Sequence, residues 1–322
     1  TCALPILFAM VANQEDHTQE DHAMTTTTRT DLYEVVTNQI IDQLEQGIVP
    51  WAQPWTTAGA TEGGLLLPRN VSTLRDYRGI NILLLWVAAA KRGFASHRWL
   101  TFQQALDMGA HVRKGERGTK IVFADRFVPR DAKIGADGQP VAVWFLKQWT
   151  VFAAEQVDGL PEPVQAQPVD MSTVDARCAA ILTGSGASIA YGAATACYMP
   201  AADRIALPAP AQFTDPVNFH RTALHELGHW TGHKTRLDRD LRSRAGTADY
   251  AREELVAEMT AAFACAALSI VPTVRHADYI GAWLKALKDD KRAIFQAARL
   301  AQQAADYLLA FETRAAETAL AA

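Results

Sequence analysis

Only four cysteines occur in the 322 residues, at positions 2, 178, 197 and 265, and no two of them form a CxxC pair. A disulfide framework and a cysteine-ligated zinc ribbon are therefore not what organises this chain, and a reducing, cytoplasmic setting is expected. Long apolar runs are also missing. The stretch "TCALPILFAMVA" at the start is about twelve residues long and has no basic segment ahead of it. It is too short for the roughly 20 residues of a membrane span and lacks the flanks of a secretory signal, so no membrane partner is expected. No internal repeat is found, which sets solenoid and propeller architectures aside.

What is present is a composition of 49% hydrophobic and 20% charged residues, enough for one large core or two ordinary ones. The net charge of −4 argues against a nucleic-acid partner, but its distribution argues for one. Between Arg69 and Lys133 there are thirteen Lys or Arg against five Asp or Glu, a local +8 that leaves −12 on the rest. A segregation of that size implies a basic face on one domain. Six of the eight tryptophans (51, 55, 86, 99, 144 and 149) lie in or beside the same stretch. Basic and aromatic residues together are what a surface needs to attract phosphates and stack bases. Trp86, inside "INILLLWVAAA", reads as core. Trp51 and Trp55, in the proline-extended loop "VPWAQPW", are harder to bury and, with Trp99, are expected at the stacking surface.

The elements read as an α+β fold. Helices are expected over about 30–46, ending at Gly47, and 79–92, closing at Gly93. A short helix follows Thr101, and "GTKIVFADRFVPR" pairs with "QPVAVWFLKQWTVFAAEQV" as a hairpin. The stretch "GLPEPVQAQPVD" holds three prolines and reads as a linker. Residues 1–23 are thus expected to be an extension outside the folded part, 24–158 a first α+β domain, 159–171 a linker, and 172–315 a second, mainly helical domain. That second domain begins with a helix near 172–183 and short strands at "ASIAYG" and "TACYMPAADRIALP", a small β-sheet, and is then almost continuously helical from 215 onwards.

Within those helices, "LHELGHWTGH" at 224–233 concentrates three histidines and a glutamate. Asp215 and Pro216 start the helix, which sets His225 and His229 one turn apart on one face. Both imidazoles then reach one metal ion, and Glu226 beside them is placed to deprotonate water. The bare HExxH pattern arises by chance in roughly 1% of chains of this length, so its surroundings decide. In one zinc-peptidase arrangement a third histidine follows the second by six positions, but position 235 is Thr, and His233 would stack a turn too far along a continued helix. In the other, a glutamate arrives from a second helix, and "YAREELVAEMTAAFACAAL" supplies Glu254 as ligand and Glu258 as acceptor for the outer N–H of a ligand histidine. A solvated acidic face is the plain alternative for that pair, and it is weakened by Leu255, Val256, Met259 and the many alanines around them. Tyr250, one turn before Glu254, is a rim tyrosine or a donor to a tetrahedral oxyanion.

Taken together, "HELGHWTGH", "RLDR", "YAREELVAEMTAAFACAALSI" and "YIGAWLKALKDDKRAIFQAARLAQQAADYL" resemble the zincin metallopeptidase half of ArdC-type antirestriction proteins. "VPWAQPW", "LPRNVSTLRDYRGINILLLW" and "WLTFQQALDMGAHVRKGERGTKIVF" are similar to that family's single-stranded-DNA-binding half, also found at the start of plasmid TraC-type primases. The resemblance covers about 30–312 and implies a protein of a conjugative plasmid or similar element that shields incoming DNA from host restriction in the bacterial cytoplasm. It implies a Zn2+ ion, with Mn2+ or another divalent ion as alternatives, held by His225, His229 and Glu254, with Glu226 as general base. Its partners are single-stranded DNA and a host restriction enzyme or other protein substrate. For the DNA face it implies Arg69, Asn70, Tyr77, Arg78, Asn81, Arg113, Lys114 and Lys120, although Gly79 and Asn81 also fit a turn and a helix cap. The competing function is an intracellular zinc metallopeptidase acting on a regulatory protein, its first half recognising protein. A primase fragment is disfavoured, because no carboxylate cluster suited to polymerisation is seen.

Overall fold

Helix α1 (Leu32–Glu45) begins where the Asp31 carboxylate accepts the Tyr33 N–H at 2.9 Å, and the chain leaves it through Gly47 at φ +74°. The computed structural model that shows this describes residues 31–52, 66–135, 138–161, 170–241, 247–271 and 279–321. The expected extension over 1–23, Trp55 and positions 162–169 of the expected linker lie outside them. Strand β1 (Arg69–Asn70) precedes α2 (Ile80–Arg92), which closes on the left-handed Gly93. Strand β2 (Arg98–Thr101) runs into α3 (Phe102–Asp107), where Thr101 and Gln104 form a reciprocal capping box. After β3 (His111–Val112), β4 (Thr119–Phe127) and β5 (Val143–Ala153) make the expected hairpin, in register from Thr119 opposite Val151 to Phe127 opposite Val143. The sheet order is β1-β2-β5-β4, and β3 pairs separately with β6 (Val157–Asp158).

The edge of β4 is met by a side chain instead of a strand. Asn81 Nδ2 donates to the Val122 carbonyl at 2.8 Å and its Oδ1 accepts the Val122 N–H at 2.9 Å. The amide thereby satisfies an exposed rung of the ladder and ties α2 to the sheet. Asn81 is 6% exposed, so its place on the DNA face is corrected to this structural role.

The second half opens with α4 (Met171–Ser185) and a sheet ordered β7-β9-β8, made of β7 (Ser188–Tyr191), β8 (Cys197–Met199) and β9 (Arg204–Leu207). Then come α5 (Pro216–Thr231), α6 (Ala248–Ala267), α7 (Ile280–Asp289) and α8 (Ala293–Ala321). The nearly continuous helix expected from 215 onwards is broken after Thr231, because the backbone beyond Gly232 folds back on α5. The Arg239 N–H donates to the Gly232 carbonyl at 2.9 Å there, and the Leu237 N–H to that of Thr231 at 3.0 Å.

The most extensive core is common to both sequence halves. Ile40 and Leu44 of α1 and Ile82 and Trp86 of α2 pack with Leu255, Met259 and Phe263 of α6 and with Ala298 and Ala301 of α8. Trp86 is buried as expected, meets Phe263 edge-on at 5.9 Å, and donates from Nε1 to the Leu66 carbonyl at 3.0 Å. Trp51, expected at a stacking surface, is instead 1% exposed and lies edge-on to Trp283 of α7 at 5.4 Å. Pro50 and Trp51 lie in a turn that the Ala52 N–H closes on the Val49 carbonyl at 3.0 Å, and this turn carries the ring inward onto α7. A second core, with Val174, Ile205, Leu224, Leu227 and Leu268, fixes α5 between the small sheet and α6.

Candidate metal centre

The site is built where α5 and α6 cross. Asp215 accepts the Val217 N–H at 3.1 Å and Pro216 takes the first turn, which starts α5 in the register that turns His225 and His229 toward α6. Gly228, between the two histidines, permits the approach: a Cβ there would sit 3.3 Å from Ala257 Cα and from Thr260 Cβ. The alanines of α6 complete a close crossing that lets Glu254 reach both imidazoles.

His225 Nε2 lies 3.6 Å from Glu254 Oε2, and His229 Nε2 lies 3.5 Å from Glu254 Oε1. Bonds of about 2.0–2.2 Å at tetrahedral angles place donor atoms roughly 3.3–3.6 Å apart, so these separations are those of ligands around one ion. One donor atom from each of the three residues falls within 4.8 Å of the others. Two imidazole nitrogens and a carboxylate oxygen, almost wholly buried, form a donor set suited to Zn2+ and acceptable to Mn2+, and the residues fit a divalent metal.

The outer nitrogens face a second layer of carboxylates. His229 Nδ1 meets Glu253 Oε1 at 3.2 Å, whereas His225 Nδ1 is 3.9 Å from Glu258 Oε1. Glu258 therefore stands where the sequence placed it but beyond direct hydrogen-bonding distance. Glu253, not singled out from the sequence, takes the role for His229. It is itself clamped by Arg239, whose Nε and Nη2 donate to its two oxygens at 3.0 and 2.8 Å. Arg239 also donates to the Gly228 carbonyl at 2.7 Å and to Thr231 Oγ1 at 2.9 Å. The fold-back after α5 thus delivers a buried guanidinium that fixes the carboxylate that fixes the imidazole. A signal existed in the sequence: Glu253 adjoins Glu254, and Arg239 closes "RLDR".

The charge states of the cluster's own groups follow from this packing. Burial opposes ionisation of Glu254, but hydrogen bonds from His225 and His229 outweigh it and hold its carboxyl far below the usual range. Burial likewise opposes the charged form of His229, yet hydrogen bonds to Glu253 and Glu254 raise it to about 10. Glu253 is lowered against its own burial by His229 and Arg239. Burial, then Tyr279 and Glu254, push the Tyr250 phenol up, so it stays a donor across the physiological range.

A cavity of about 230 Å³ opens onto the cluster, lined by Glu226 and Tyr250, by Cys197 and Tyr198 of β8 and by Pro200 just after it. Glu226 and Tyr250 thus share one solvent space with the three donors. His233 does not: past the end of α5 its Nδ1 faces Thr235 Oγ1 at 2.9 Å and Asp203 at 4.0 Å. Asp203 accepts from Arg236 at 3.0 Å, and that guanidinium lies 3.9 Å over the Trp230 ring, pinning the fold-back to the β8–β9 turn.

The residues expected on the DNA face divide into three groups. Trp99 is corrected to core: it is 1% exposed and packed with Leu85, Ile121 and Val151. Asn70 is a turn brace, accepting the Ser72 and Thr73 N–H groups at 3.0 and 2.9 Å and donating to Tyr77 Oη at 3.1 Å. Arg69, Arg78 and Arg113 reach the surface paired with Asp76, Asp306 and Glu116 respectively. Lys114 and Lys120 are exposed, and among the described residues neither pairs with an acid; Lys120 donates to Thr150 Oγ1 at 2.7 Å. Strand alternation also puts Phe123, Phe127, Phe145 and Trp149 on one face of the hairpin, and Phe123 and Trp149 are 45% and 53% exposed. Trp149 is one of the tryptophans counted beside the basic stretch, but neither it nor the three phenylalanines was singled out from the sequence, where tryptophans in loops weighed more than aromatics alternating along strands.

Fold and site together define a protein with a zincin-like metallopeptidase domain, and the family model described as zincin-like metallopeptidase matches residues 176–300. The model for the N-terminal domain of the anti-restriction factor ArdC matches residues 30–152. Crystal structures of the antirestriction ArdC protein from plasmid R388 are 38% identical to this chain, covering 88% of it. The metal-free form aligns with a TM-score of 0.74 over 99% of its own length, and the Mn(II)-bound form with 0.70 over 98%. The chain belongs to the ArdC antirestriction family. It is also 41% identical over 298 residues to the uncharacterized protein y4eC of Sinorhizobium fredii, spanning 94% of that protein. The DNA primase TraC of Escherichia coli is 41% identical over 298 residues, which is 27% of TraC. Among the described residues, no helix is long and apolar enough to cross a membrane.

Proposed function

We propose that this chain is a plasmid-type antirestriction protein of the bacterial cytoplasm, which binds single-stranded DNA and shields incoming DNA from host restriction. Residues 24–158 form the DNA-binding part and 172–315 the peptidase-like part, joined through 159–171. The observation that carries this reading is the alignment with the R388 antirestriction protein along nearly its whole length, both halves included. The local +8 between Arg69 and Lys133, with exposed Lys114 and Lys120, supports a phosphate-binding surface.

The metal cluster supports peptide hydrolysis with His225, His229 and Glu254 as ligands. A divalent ion there, Zn2+ by preference and Mn2+ as the alternative, supplies Lewis acidity to a peptide carbonyl and to water. Glu226, in the cavity wall, takes the proton from the attacking water and passes it to the leaving amine. Tyr250, kept protonated, donates to the oxyanion on the carbonyl carbon. The substrate class is protein, and protection of DNA does not depend on its cleavage.

Fluorescence anisotropy of a labelled single strand with the full chain, across a salt series, tests the DNA reading. Affinity should fall steeply as salt rises. Failure to bind at any salt would leave an intracellular metallopeptidase that recognises a regulatory protein through its first half.

A further inference from the structure

We infer that the single strand is held in a groove that α8 of the second half shares with the first half. This rests on the proposal that the chain binds single-stranded DNA. A cavity of about 520 Å³ lies between the start of α1, the approach to α2, the inner face of the hairpin and the first turns of α8. Its floor is apolar, formed by Ile80, Val122, Leu146 and the ring of Phe295, which Tyr33 meets edge-on at 4.8 Å. Its rim carries Arg78, Arg292 and Arg299.

The rim charges set this groove apart from the paired arginines elsewhere on the first half. Arg78 pairs with Asp306, whereas among the described residues neither Arg292 nor Arg299 forms an ion pair, although Arg299 also borders a second pocket lined by Asp249 and Glu253. The Arg292 guanidinium lies 5.0 Å from the Tyr33 ring centre, and Arg299 Nη1 donates to the neutral Gln303 Oε1 at 3.1 Å. Arg292 immediately precedes α8, its carbonyl accepting the Gln296 N–H at 3.0 Å, and Arg299 follows seven residues on, about 10 Å further along at the helical rise. Two guanidiniums outside any ion pair, above an apolar floor that offers the Phe295 ring and room for a base, match the two faces of a nucleotide: an anionic backbone and a flat, stackable ring. An acidic peptide would satisfy the rim but leave the aromatic floor unused.

The test is anisotropy with a fluorescein-labelled oligothymidine and the full chain, carried as wild type, Arg292→Ala/Arg299→Ala, Arg292→Lys/Arg299→Lys and Phe123→Ala/Trp149→Ala. The double Ala variant should bind about tenfold or more weakly, and the slope of log affinity against log salt should shrink by about 1.4, the value for two lost phosphate contacts on a single strand. The Lys variant should recover most of that slope, and the variant of the hairpin's outer face should bind like wild type. All four should show the same thermal midpoint, since the substituted side chains lie at the surface. If wild type binds and the Ala variant binds equally well, the inference is wrong; loss in the Phe123/Trp149 variant alone would move the strand to the outer face. Competition by a polyglutamate peptide as effective as by unlabelled strand would also overturn it. If wild type binds no strand, the DNA-binding proposal itself falls.

Discussion

At the crossing of α5 and α6, the side chains of His225, Glu254 and Glu258 are 2%, 5% and 2% exposed, and each faces an oppositely charged or hydrogen-bonding group on the other helix. On the surface of the first half, the side chains of Arg69, Arg78 and Arg113 are 56%, 61% and 44% exposed, the first two each beside one acid and Arg113 between Glu116 and Asp158. The first arrangement tolerates no loss, since a buried charge deprived of its partner costs several kcal/mol. The second is worth about 0–1 kcal/mol per pair and can be rearranged by a ligand. A fixed buried cluster and adaptable surface pairs thus occupy different dielectric settings of the same chain.

The sharpest way to break that contrast is to remove a ligand. Wild-type protein should purify with about one equivalent of divalent metal, as a three-ligand catalytic site holds one ion. Glu254→Ala and His225→Ala should each lose nearly all of it by elemental analysis. Full metal in the Glu254 variant would show that another residue is the third ligand. Next in size is the core correction: Trp51→Ala should cost about 3–5 kcal/mol in urea unfolding while leaving the single-strand affinity of the folded protein unchanged. A stacking residue would do the reverse, losing affinity and little stability.

Smaller effects resolve the layer behind the ligands. Glu253→Gln, which weakens both the His229 contact and the Arg239 clamp, should reduce metal affinity about 10–100-fold in competition with a chelator. Glu258→Gln, on a 3.9 Å separation, should reduce it less; the opposite order would mean that Glu258 is the orienting acceptor. The smallest effect concerns the metal-free protein. Because folding raises His229 from an ordinary value near 6.5 to about 10, its pairing adds stability that is complete below the lower value and is lost as pH rises through the higher. Metal-free wild type should therefore lose more stability than His229→Gln between neutral pH and 10, and parallel profiles would contradict the pairing.

How much of this the sequence revealed follows the same division. The metal donors were legible because a helix fixes i, i+4 geometry and a buried acid on an alanine-rich helix needs a reason to be there. Helix ends were legible at Asp215, Thr101, Gly47 and Gly93, where local chemistry decides the backbone. Arg239 was not, because its position depends on a fold-back after Thr231 that no periodicity encodes. Trp51 and Trp99 were misplaced because composition does not distinguish a ring beside a basic surface from one beneath it. The core shared between α1, α2, α6 and α8 was invisible for a related reason: a proline-rich segment marks a linker in sequence but says nothing about which faces meet in space.

The central claim is that DNA protection and the metal cluster act separately. It is tested by transferring unmodified DNA into a restricting host cell that carries either wild-type protein or Glu226→Gln, with metal content and protein level measured in both. The account predicts equal metal and equal protection, since Glu226 neither ligates the ion nor touches the strand. Protection lost in a variant that is folded, expressed and metal-loaded would contradict it and make hydrolysis part of how the DNA is protected.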